Sequence, residues 1–403
     1  MRLLRTAQVL PGGLLVLWQI GFQLLYGLLD DAIAADLGLS LGVQAWLGLA
    51  FLVPYAAMQW HAGRWVDRWG AERVLALAAL GCAIGAGLFA TATTAHAAFM
   101  GRLIAGTAAS FAFPGVSQMI RLNSNGRQFS LAMALLESCI GFGSAAVTLL
   151  LLWAPNVSWR SISALEALLA LMLAGLMTPG CRRAWHLPPR SSPRIADNQT
   201  TAKASMQWPI VIAAAGVYAW EAGLTFAFGG FWSLWLERQQ MLNAHDVTIG
   251  NLVLFLAVGL GTAAFGVFAT TRIQRCRCLL IGTTTGGIIL IGLLNLSVAQ
   301  QGRFHLPAYL LFGLSTAVGG LAFGEAGLAA PPARVAQVIG LVNGLGCLAG
   351  GLFHVLPTSL MVLPSVDANL VVWFGLLALI GWLAAIDLWR RSRLGIRPRR
   401  RQG

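Results

Sequence analysis

Residues 63–73 read Gly-Arg-Trp-Val-Asp-Arg-Trp-Gly-Ala-Glu-Arg, and this charged stretch lies between two long apolar runs, at 43–62 and 74–95. An apolar run of about twenty residues is long enough to cross a bilayer as an α-helix. Glycines in a short connection allow the chain to reverse direction within a few residues. The stretch therefore predicts a charged hairpin at a membrane surface that joins two transmembrane helices.

The composition of the whole chain extends this interpretation. The protein has 403 residues, of which 57% are hydrophobic and 10% are charged, whereas a soluble domain carries about 25% charged residues. Lipid offers no hydrogen-bond partners, so membrane-spanning segments must be helices or a closed barrel. The apolar residues run in long blocks rather than in the short alternating segments of barrel strands. The sequence predicts an all-α membrane protein.

The apolar runs predict about twelve transmembrane helices in two six-helix, pseudo-symmetric bundles. We expect an N-terminal bundle at 1–180, a cytoplasmic linker at 181–207, a C-terminal bundle at 208–389 and a basic cytoplasmic tail at 390–403. The linker is rich in proline, serine and basic residues, which favours an irregular connection. The helices are predicted near 8–29, 43–62, 74–95, 97–118, 129–153, 159–179, 208–236, 248–270, 278–299, 305–330, 335–359 and 367–389.

The basic residues indicate the orientation in the membrane. The formal net charge is +13, and 23 of the 27 lysines and arginines fall in alternate connections or in the two termini. Positive charge stays on the cytoplasmic side, so both termini are expected in the cytoplasm of a bacterium, with the protein in its inner membrane. The charge follows topology, so no nucleic-acid partner is expected. We expect a monomer whose partners are the lipid bilayer, a small-molecule substrate and protons.

The chain resembles the major facilitator superfamily in four stretches. The first is residues 32–40; the second is the hairpin, in which Gly63, Asp67, Arg68, Gly70 and Arg73 match the family's loop signature. Ala71 and Glu72 depart from the usual basic pair. Arg102-x-x-x-Gly106 resembles a second motif, with Ala105 where glutamine is common, and Ser158-Trp159-Arg160 resembles the usual start of helix six. The resemblance implies transport by alternating access, with the hairpin as a gating latch.

Two departures from the family bear on the branch. The Gly-Pro-rich antiporter motif of helix five is not evident, because Gly141 and Gly143 occur without a proline. Phe22 stands where many drug exporters carry an aspartate. The resemblance therefore supports the superfamily more strongly than its drug-exporter branch.

The latch also has a reading in physical terms. Asp67 can accept hydrogen bonds from the free backbone N–H groups at a helix start, or it can pair with Arg68 or Arg73. Such a contact can hold one arrangement of the two halves and release it in another. The alternative is a plain charged hairpin that only fixes topology.

Polar residues fall on single faces of several helices. Stripes of this kind are costly against lipid, so we expect them to line a water-accessible substrate cavity. The alternative is hydrogen bonding between helices, worth about 0.6 kcal/mol per bond, which explains serine and threonine better than glutamate. The predicted cavity residues are Gln19, Gln23, Tyr26, Ser144, Thr148, Tyr218, Thr225, Tyr309, Asn343 and His354.

Charged residues inside helices are the candidates for energy coupling. An intramembrane carboxylate is a functional candidate by default, and Glu137 and Glu221 lie well inside their helices, Glu137 on the longer polar stripe. We expect Arg102 to pair with Asp30 or Asp31 at the outer side; the alternative is an arginine that snorkels to the headgroups. Glu166, on a peripheral helix, is the weakest candidate. Glu325 is expected near Arg334.

The absence of other motifs narrows the mechanism. The single lysine, Lys203, lies between two alanines, so the chain has no Gly-rich phosphate loop and we exclude ATP-driven transport by this chain. Buried carboxylates favour proton-driven secondary transport over facilitated diffusion. Export of a drug-like compound, siderophore or other metabolite is the main hypothesis and proton-coupled uptake the alternative. An enzyme is not expected, and the cysteine and histidine spacing predicts neither a disulfide, nor a metal site, nor a cofactor.

Overall fold

The computed structural model describes residues 2–153, 157–178, 205–360 and 366–394, and the regular structure in these ranges is helical. In the first half the helices are α1 (Arg2–Leu37), α2 (Leu41–Trp69), α3 (Ala71–Ala90), α4 (Ala95–Ala109), α5 (Ala112–Asn123), α6 (Gly126–Trp153) and α7 (Trp159–Leu176). The second half comprises α8 (Trp208–Phe226), a π-helix (Ala227–Trp232), α9 (Ser233–Arg238), α10 (Ala244–Phe268), α11 (Arg272–Leu294), α12 (Val298–Arg303), α13 (His305–Thr316), a 3₁₀ segment (Ala317–Gly320), α14 (Leu321–Leu328), a 3₁₀ turn (Pro332–Arg334), α15 (Val335–Leu360) and α16 (Val366–Leu394).

The helices confirm the predicted fold class, about twelve transmembrane helices in two bundles. Within the described residues, ten helical stretches are long and apolar enough to cross a membrane. α2 and α16 occupy the predicted second and twelfth positions. Most of the predicted linker, residues 181–204, lies outside the described residues, as does the tail beyond Leu394. The proposed domain boundaries therefore stay a prediction.

Four helices differ from their predicted form, and one of them is the predicted tenth, 305–330, which the 3₁₀ segment Ala317–Gly320 divides into α13 and α14. α1 runs from Arg2 to Leu37, because hydropathy detects only the apolar part of a helix that continues beyond it. The predicted fourth helix is interrupted between α4 and α5. Pro114 lacks the N–H that would bond the carbonyl of Ser110, which explains the break at that point. The seventh helix contains the π-helical turn at 227–232.

Contacts between the two halves run along two pairs of helices, α2 with α15 and α6 with α10. We call this interface the seam. The backbones approach closely there: a Cβ added at Gly141 of α6 would lie 2.6 Å from the backbone nitrogen of Gly259 in α10. Gly63 of α2 likewise lies directly against the backbone of Ala336. Glycine allows this approach because it has no side chain.

The face of the protein that carries residues 63–73 is called the loop face below. The halves meet there through aromatic rings. Phe113 of α5 lies 4.8 Å from Phe323 of α14, measured between ring centroids, and Phe323 lies 4.4 Å from Tyr218. The side-chain amide of Gln118 donates to the carbonyl of Pro332 at 3.4 Å. In this structure the two bundles are therefore in contact at the loop face.

Candidate functional site

Asp67 connects the end of α2 to the start of α15. Its carboxylate accepts hydrogen bonds from the backbone N–H groups of Ala336, at 3.2 Å, and Gln337, at 2.9 Å. The first N–H groups of a helix have no partner within the helix, and they carry a partial positive charge. Of the two arrangements expected for Asp67, the structure has the bond to a helix start rather than a pair with Arg68 or Arg73.

The surroundings of Asp67 favour its protonated form. Asp67 lies beyond the apolar run 43–62, outside the membrane-spanning part of α2. Burial raises its pKa to about 7, while the N–H groups of Gln337 and Ala336 and the charge of Arg334 act in the opposite direction. The carboxyl group therefore titrates near neutral pH in this arrangement.

The two glycines of the signature shape the backbone, and its two arginines lie at the surface. Gly70 has a φ of +87°, a conformation that side chains disfavour, and it connects α2 to α3 directly. Gly63 provides the close approach to Ala336. The side chains of Arg68 and Arg73 are exposed.

Two acidic residues from opposite halves lie against adjacent glycines in the 3₁₀ segment. Glu137 of α6 and Glu221 of α8 are both buried. A Cβ at Gly320 would lie 3.1 Å from Cγ of Glu137, and Gly319 lies directly against the side chain of Glu221. The two acids predicted from separate helices are therefore brought together at one point of the seam.

Glu137 also makes a bond across the seam. The hydroxyl of Tyr218 donates to its Oε1 atom at 3.0 Å. Its Oε2 atom is buried and has no hydrogen-bond partner among the described residues. An unpartnered buried carboxylate oxygen is costly when the group is ionised.

A second polar cluster on the seam centres on Tyr55. The amide of Gln19, from α1, donates to the Tyr55 hydroxyl at 3.1 Å, and that of Asn343, from α15, donates at 3.0 Å. Gln59, one turn further along α2, is buried, and neither of its amide atoms has a partner among the described residues. Tyr55 and Gln59 were not among the residues predicted from the sequence, although their i, i+4 spacing places them on one helix face.

Arg102 lies in an aromatic box rather than in an ion pair. It is 1% exposed, and its guanidinium carbon lies 3.9 Å from the ring centroid of Tyr26. The rings of Phe22, Phe51 and Phe89 lie within 5.6 Å of the same atom. Its Nε donates to the carbonyl of Leu47 at 2.8 Å.

The expected partners of Arg102 are elsewhere. Asp31 is exposed, and the Oδ1 atom of Asp30 accepts a bond from the backbone N–H of Asp31 at 2.9 Å. Among the described residues no ion pair joins either acid to Arg102. The predicted pair is therefore corrected, and so is the snorkelling alternative, because the Arg102 side chain is buried among rings and does not reach the surface.

One further expectation about an acidic residue is also corrected. Glu325 pairs with Arg272, at 3.1 Å, and with Arg275, at 2.7 Å, and not with Arg334. The first turn of α11 delivers both arginines to its carboxylate. Glu166 is buried although its helix is peripheral, and a Cβ at Gly21 would lie 3.3 Å from its Oε1 atom. Its side chain points into the first bundle.

The remaining predicted cavity residues are dispersed. Tyr309 bonds Ser233 and the carbonyl of Phe228 within the second half, Thr225 donates to Thr316 at 3.4 Å, and Thr148 bonds the carbonyl of Ser144 in its own helix. The bonds of Tyr309 and Thr225 join separate helices and fit the alternative of hydrogen bonding between helices, whereas that of Thr148 stays within α6. Tyr26 donates to the carbonyl of Gln44, Gln23 is half-buried, and the side chain of His354 lies outside the described residues. Among the described residues, no three His, Cys, Asp or Glu side chains converge as a metal site would require.

Together, these features define a polytopic helical membrane protein with two bundles, a polar seam and a contact at the loop face. The chain belongs to the Major Facilitator Superfamily: the family's sequence profile matches residues 13–354. The resemblance in the hairpin is thereby confirmed. Members of this family are transporters rather than enzymes, and they act on small molecules within a membrane.

Solved structures share the fold. The human organic anion transporter MFSD10 (TETRAN) is 18% identical, with a TM-score of 0.66 over 94% of this chain and 99% of that one. The proton:xylose symporter XylE, bound to 6-bromo-6-deoxy-D-glucose, is 14% identical, with a TM-score of 0.67 over 96% of each chain. At these identities the likeness concerns the fold alone. No curated protein sequence matches the chain.

Proposed function

We propose that the protein is a proton-coupled secondary transporter that exports a small organic solute by alternating access. The observation that carries the proposal is Glu137, a buried carboxyl group that bonds Tyr218 across the seam and leaves its other oxygen unpartnered among the described residues. A group at this position can bind a proton in one arrangement of the halves and release it when the seam opens to water.

The chemistry of coupling follows from the surroundings of Glu137. With Oε2 unpartnered and no cation facing it among the described residues, the buried group is held at lower cost with a proton on it. A change that admits water or substrate between α6 and α8 would solvate the carboxylate and favour ionisation. Glu221 is the second candidate, because it lies against the adjacent glycine of the same 3₁₀ segment.

The seam also suggests the class of solute. The cluster at Tyr55 presents amide and hydroxyl groups without a formal charge, and Gln59 offers both a donor and an acceptor. Aromatic rings of Phe113, from the first half, and of Tyr218 and Phe323, from the second, meet on the loop-face side. Amides beside rings suit a small amphipathic solute that makes neutral hydrogen bonds, the kind of cargo that motivates export over uptake.

We further propose that the protein resides as a monomer in a bacterial inner membrane, with both termini and the loop face in the cytoplasm. The concentration of basic residues in alternate connections supports this orientation.

The test uses everted membrane vesicles with an acidic interior and a panel of small organic solutes. In vesicles of this orientation an exporter accumulates its substrate and dissipates the proton gradient, which a pH-sensitive dye reports. We expect a solute to collapse the gradient with the parent protein. With Glu137→Gln the gradient should persist, while exchange of labelled solute across the membrane continues.

The control is Glu221→Gln, assayed on the same panel. If only the Glu221 variant loses proton-driven transport, Glu221 rather than Glu137 is the coupling residue. A Glu137→Gln protein that still concentrates solute against a gradient like the parent would show that Glu137 is structural. Uptake in right-side-out vesicles, with no effect in everted ones, would reverse the direction.

A further inference from the structure

A groove opens on the side of the first bundle, near the loop face, between α2, α3 and α4. Its volume is about 360 Å³, and its walls include Trp65, Trp69, Leu77, Leu103, Thr107 and Phe111. The ring of Trp65 lies 5.2 Å from that of Trp69 and 5.6 Å from that of Phe111. The one hydroxyl in the lining, on Thr107, donates to the carbonyl of Leu103 in its own helix. The groove therefore offers an apolar surface.

The groove faces away from the seam. Trp65 follows Gly63 by two residues, about 200° around the helix from the side that packs on α15. Trp69 is 51% exposed and Leu77 is 65% exposed. On the perimeter of a membrane-spanning bundle these side chains face lipid. An occupant of the groove therefore arrives from the bilayer rather than from the substrate pathway.

Positive charge lies beside the groove at its loop-face end. Arg68 follows Trp65 by three residues, and Arg73 precedes Leu77 by four, which are spacings that share a helix face. Arg64, Arg68 and Arg73 are exposed, and among the described residues none of them forms an ion pair. The nearby Asp67 directs its carboxylate to α15 instead. An apolar groove with free guanidinium groups at one end matches a molecule with a hydrocarbon chain and an anionic head.

We propose that this groove binds an acyl chain of an anionic phospholipid, of the phosphatidylglycerol class, from the leaflet at the loop face. Arg68 and Arg73 bind the phosphate, and Trp65, Trp69 and Leu77 contact the chain. A basic residue near the surface contributes about 1 kcal/mol toward an anionic lipid, so each arginine should favour the anionic over a zwitterionic lipid about fivefold.

The experiment reconstitutes the full chain in nanodiscs in which one lipid carries bromine atoms on its acyl chains, which quench nearby tryptophans. The protein has 15 tryptophans, so the groove signal is the difference between the parent and the Trp65→Phe, Trp69→Phe variant. For each brominated lipid, we measure the mole fraction at which this difference reaches half its maximum. We expect that mole fraction to be at least fivefold lower for phosphatidylglycerol than for phosphatidylcholine. A Trp382→Phe control measures quenching at an exposed tryptophan of the other half and should show no such preference.

Substitutions then separate the headgroup from the chain. Arg68→Gln with Arg73→Gln should abolish the preference for phosphatidylglycerol, whereas Arg68→Lys with Arg73→Lys should keep it. Arg277→Gln removes an exposed arginine from the second half and should change nothing. Thr107→Phe fills the groove and should remove the difference signal with both lipids.

Several outcomes would overturn the proposal. Equal quenching by the two lipids would mean that the groove holds ordinary boundary lipid without selecting its headgroup. A preference that survives the paired glutamine substitutions would place the headgroup on other residues. No quenching of Trp65 and Trp69 by either lipid would mean that another molecule, or a second copy of the chain, covers the groove.

Discussion

The Oδ2 atom of Asp67 accepts a hydrogen bond of 2.9 Å from the backbone N–H of Gln337, a residue 270 positions later in the chain. This bond joins the end of α2 to the first turn of α15, and one helical turn earlier on α2, Gly63 lies against Ala336. Any arrangement that separates α2 from α15 at the loop face must break the bonds to Ala336 and Gln337. That requirement gives the hairpin a physical role beyond topology and leads to the first prediction.

Asp67→Asn should reduce transport strongly while leaving the amount of protein in the membrane close to that of the parent. Asparagine resembles the protonated carboxyl group but cannot ionise, so it should hold the contact with α15 at a pH where the parent releases it. Transport is measured in vesicles as above, and membrane content by immunoblot. Normal transport by the variant, or failure to insert, would return the hairpin to a purely topological role.

The same contact should depend on pH. Asp67 has a pKa of about 7 in the contact and an ordinary value of 3.8 when released to water, so the contact state binds the proton more tightly. The free-energy contribution of this proton is fully present below about pH 4 and is lost as the pH rises through 7. The contact should therefore loosen between pH 6 and pH 8.

Hydrogen exchange of the amides in the first turn of α15 measures this loosening. At each pH the parent and Asp67→Asn have the same intrinsic exchange rates, so comparing the two removes the chemical effect of pH. We expect similar protection at pH 6 and faster exchange in the parent at pH 8. If the ratio of the exchange rates in the parent and the variant does not change with pH, Asp67 does not titrate in this range.

Fusions to alkaline phosphatase test the proposed orientation. Alkaline phosphatase fused after Asp36 or after Val157 should be active, and phosphatase fused at Ser192, in the predicted cytoplasmic linker, should be inactive. The reason is the concentration of basic residues on the linker's side of the membrane. An active fusion at Ser192 would invert the proposed topology and with it the direction of transport.

Arg102→Lys should lower the thermal stability of the protein, because lysine cannot reproduce the contacts of the guanidinium group. A desolvated cation over an aromatic ring is worth about 2 kcal/mol, and a planar guanidinium can stack on Tyr26 while its Nε donates to the carbonyl of Leu47. Arg303→Lys, at an exposed site, is the matched control. Equal melting temperatures for the two variants in detergent would show that the box does not depend on arginine.

The sequence predicted the features that depend on local pattern. Apolar runs found the helices, and the hairpin signature identified Asp67, whose expected bond to a helix start is present. Helical spacing placed Glu137 and Glu221 on inward faces. Both lie at the seam.

Partners of buried charges were predicted less well. The sequence places Arg102 at the depth of Asp30 and Asp31, but the direction of its side chain is set by how α4 packs against α1, α2 and α3. Glu325 was expected near Arg334, which is close along the chain, whereas its partners Arg272 and Arg275 come from α11. Helix spacing reports a face and an approximate depth, and it carries no information on which neighbouring helix meets that face.

The last prediction tests the seam itself. Gly141→Ala should destabilise the protein, because the new Cβ would lie 2.6 Å from the backbone nitrogen of Gly259 and 2.9 Å from the carbonyl oxygen of Phe255. Backbone atoms cannot move aside as a side chain can, so α6 and α10 must separate. Overpacking of this kind costs about 1–3 kcal/mol.

The matched control is Gly287→Ala in α11, where an added Cβ would meet no atom within 4 Å. Alanine has a higher helix propensity than glycine, so this variant should melt at the same temperature as the parent or slightly above it. Thermal unfolding of both variants in the same detergent decides the matter. Equal melting temperatures for Gly141→Ala and Gly287→Ala would show that the added Cβ fits between α6 and α10. The close contact at the seam would then not depend on glycine at position 141.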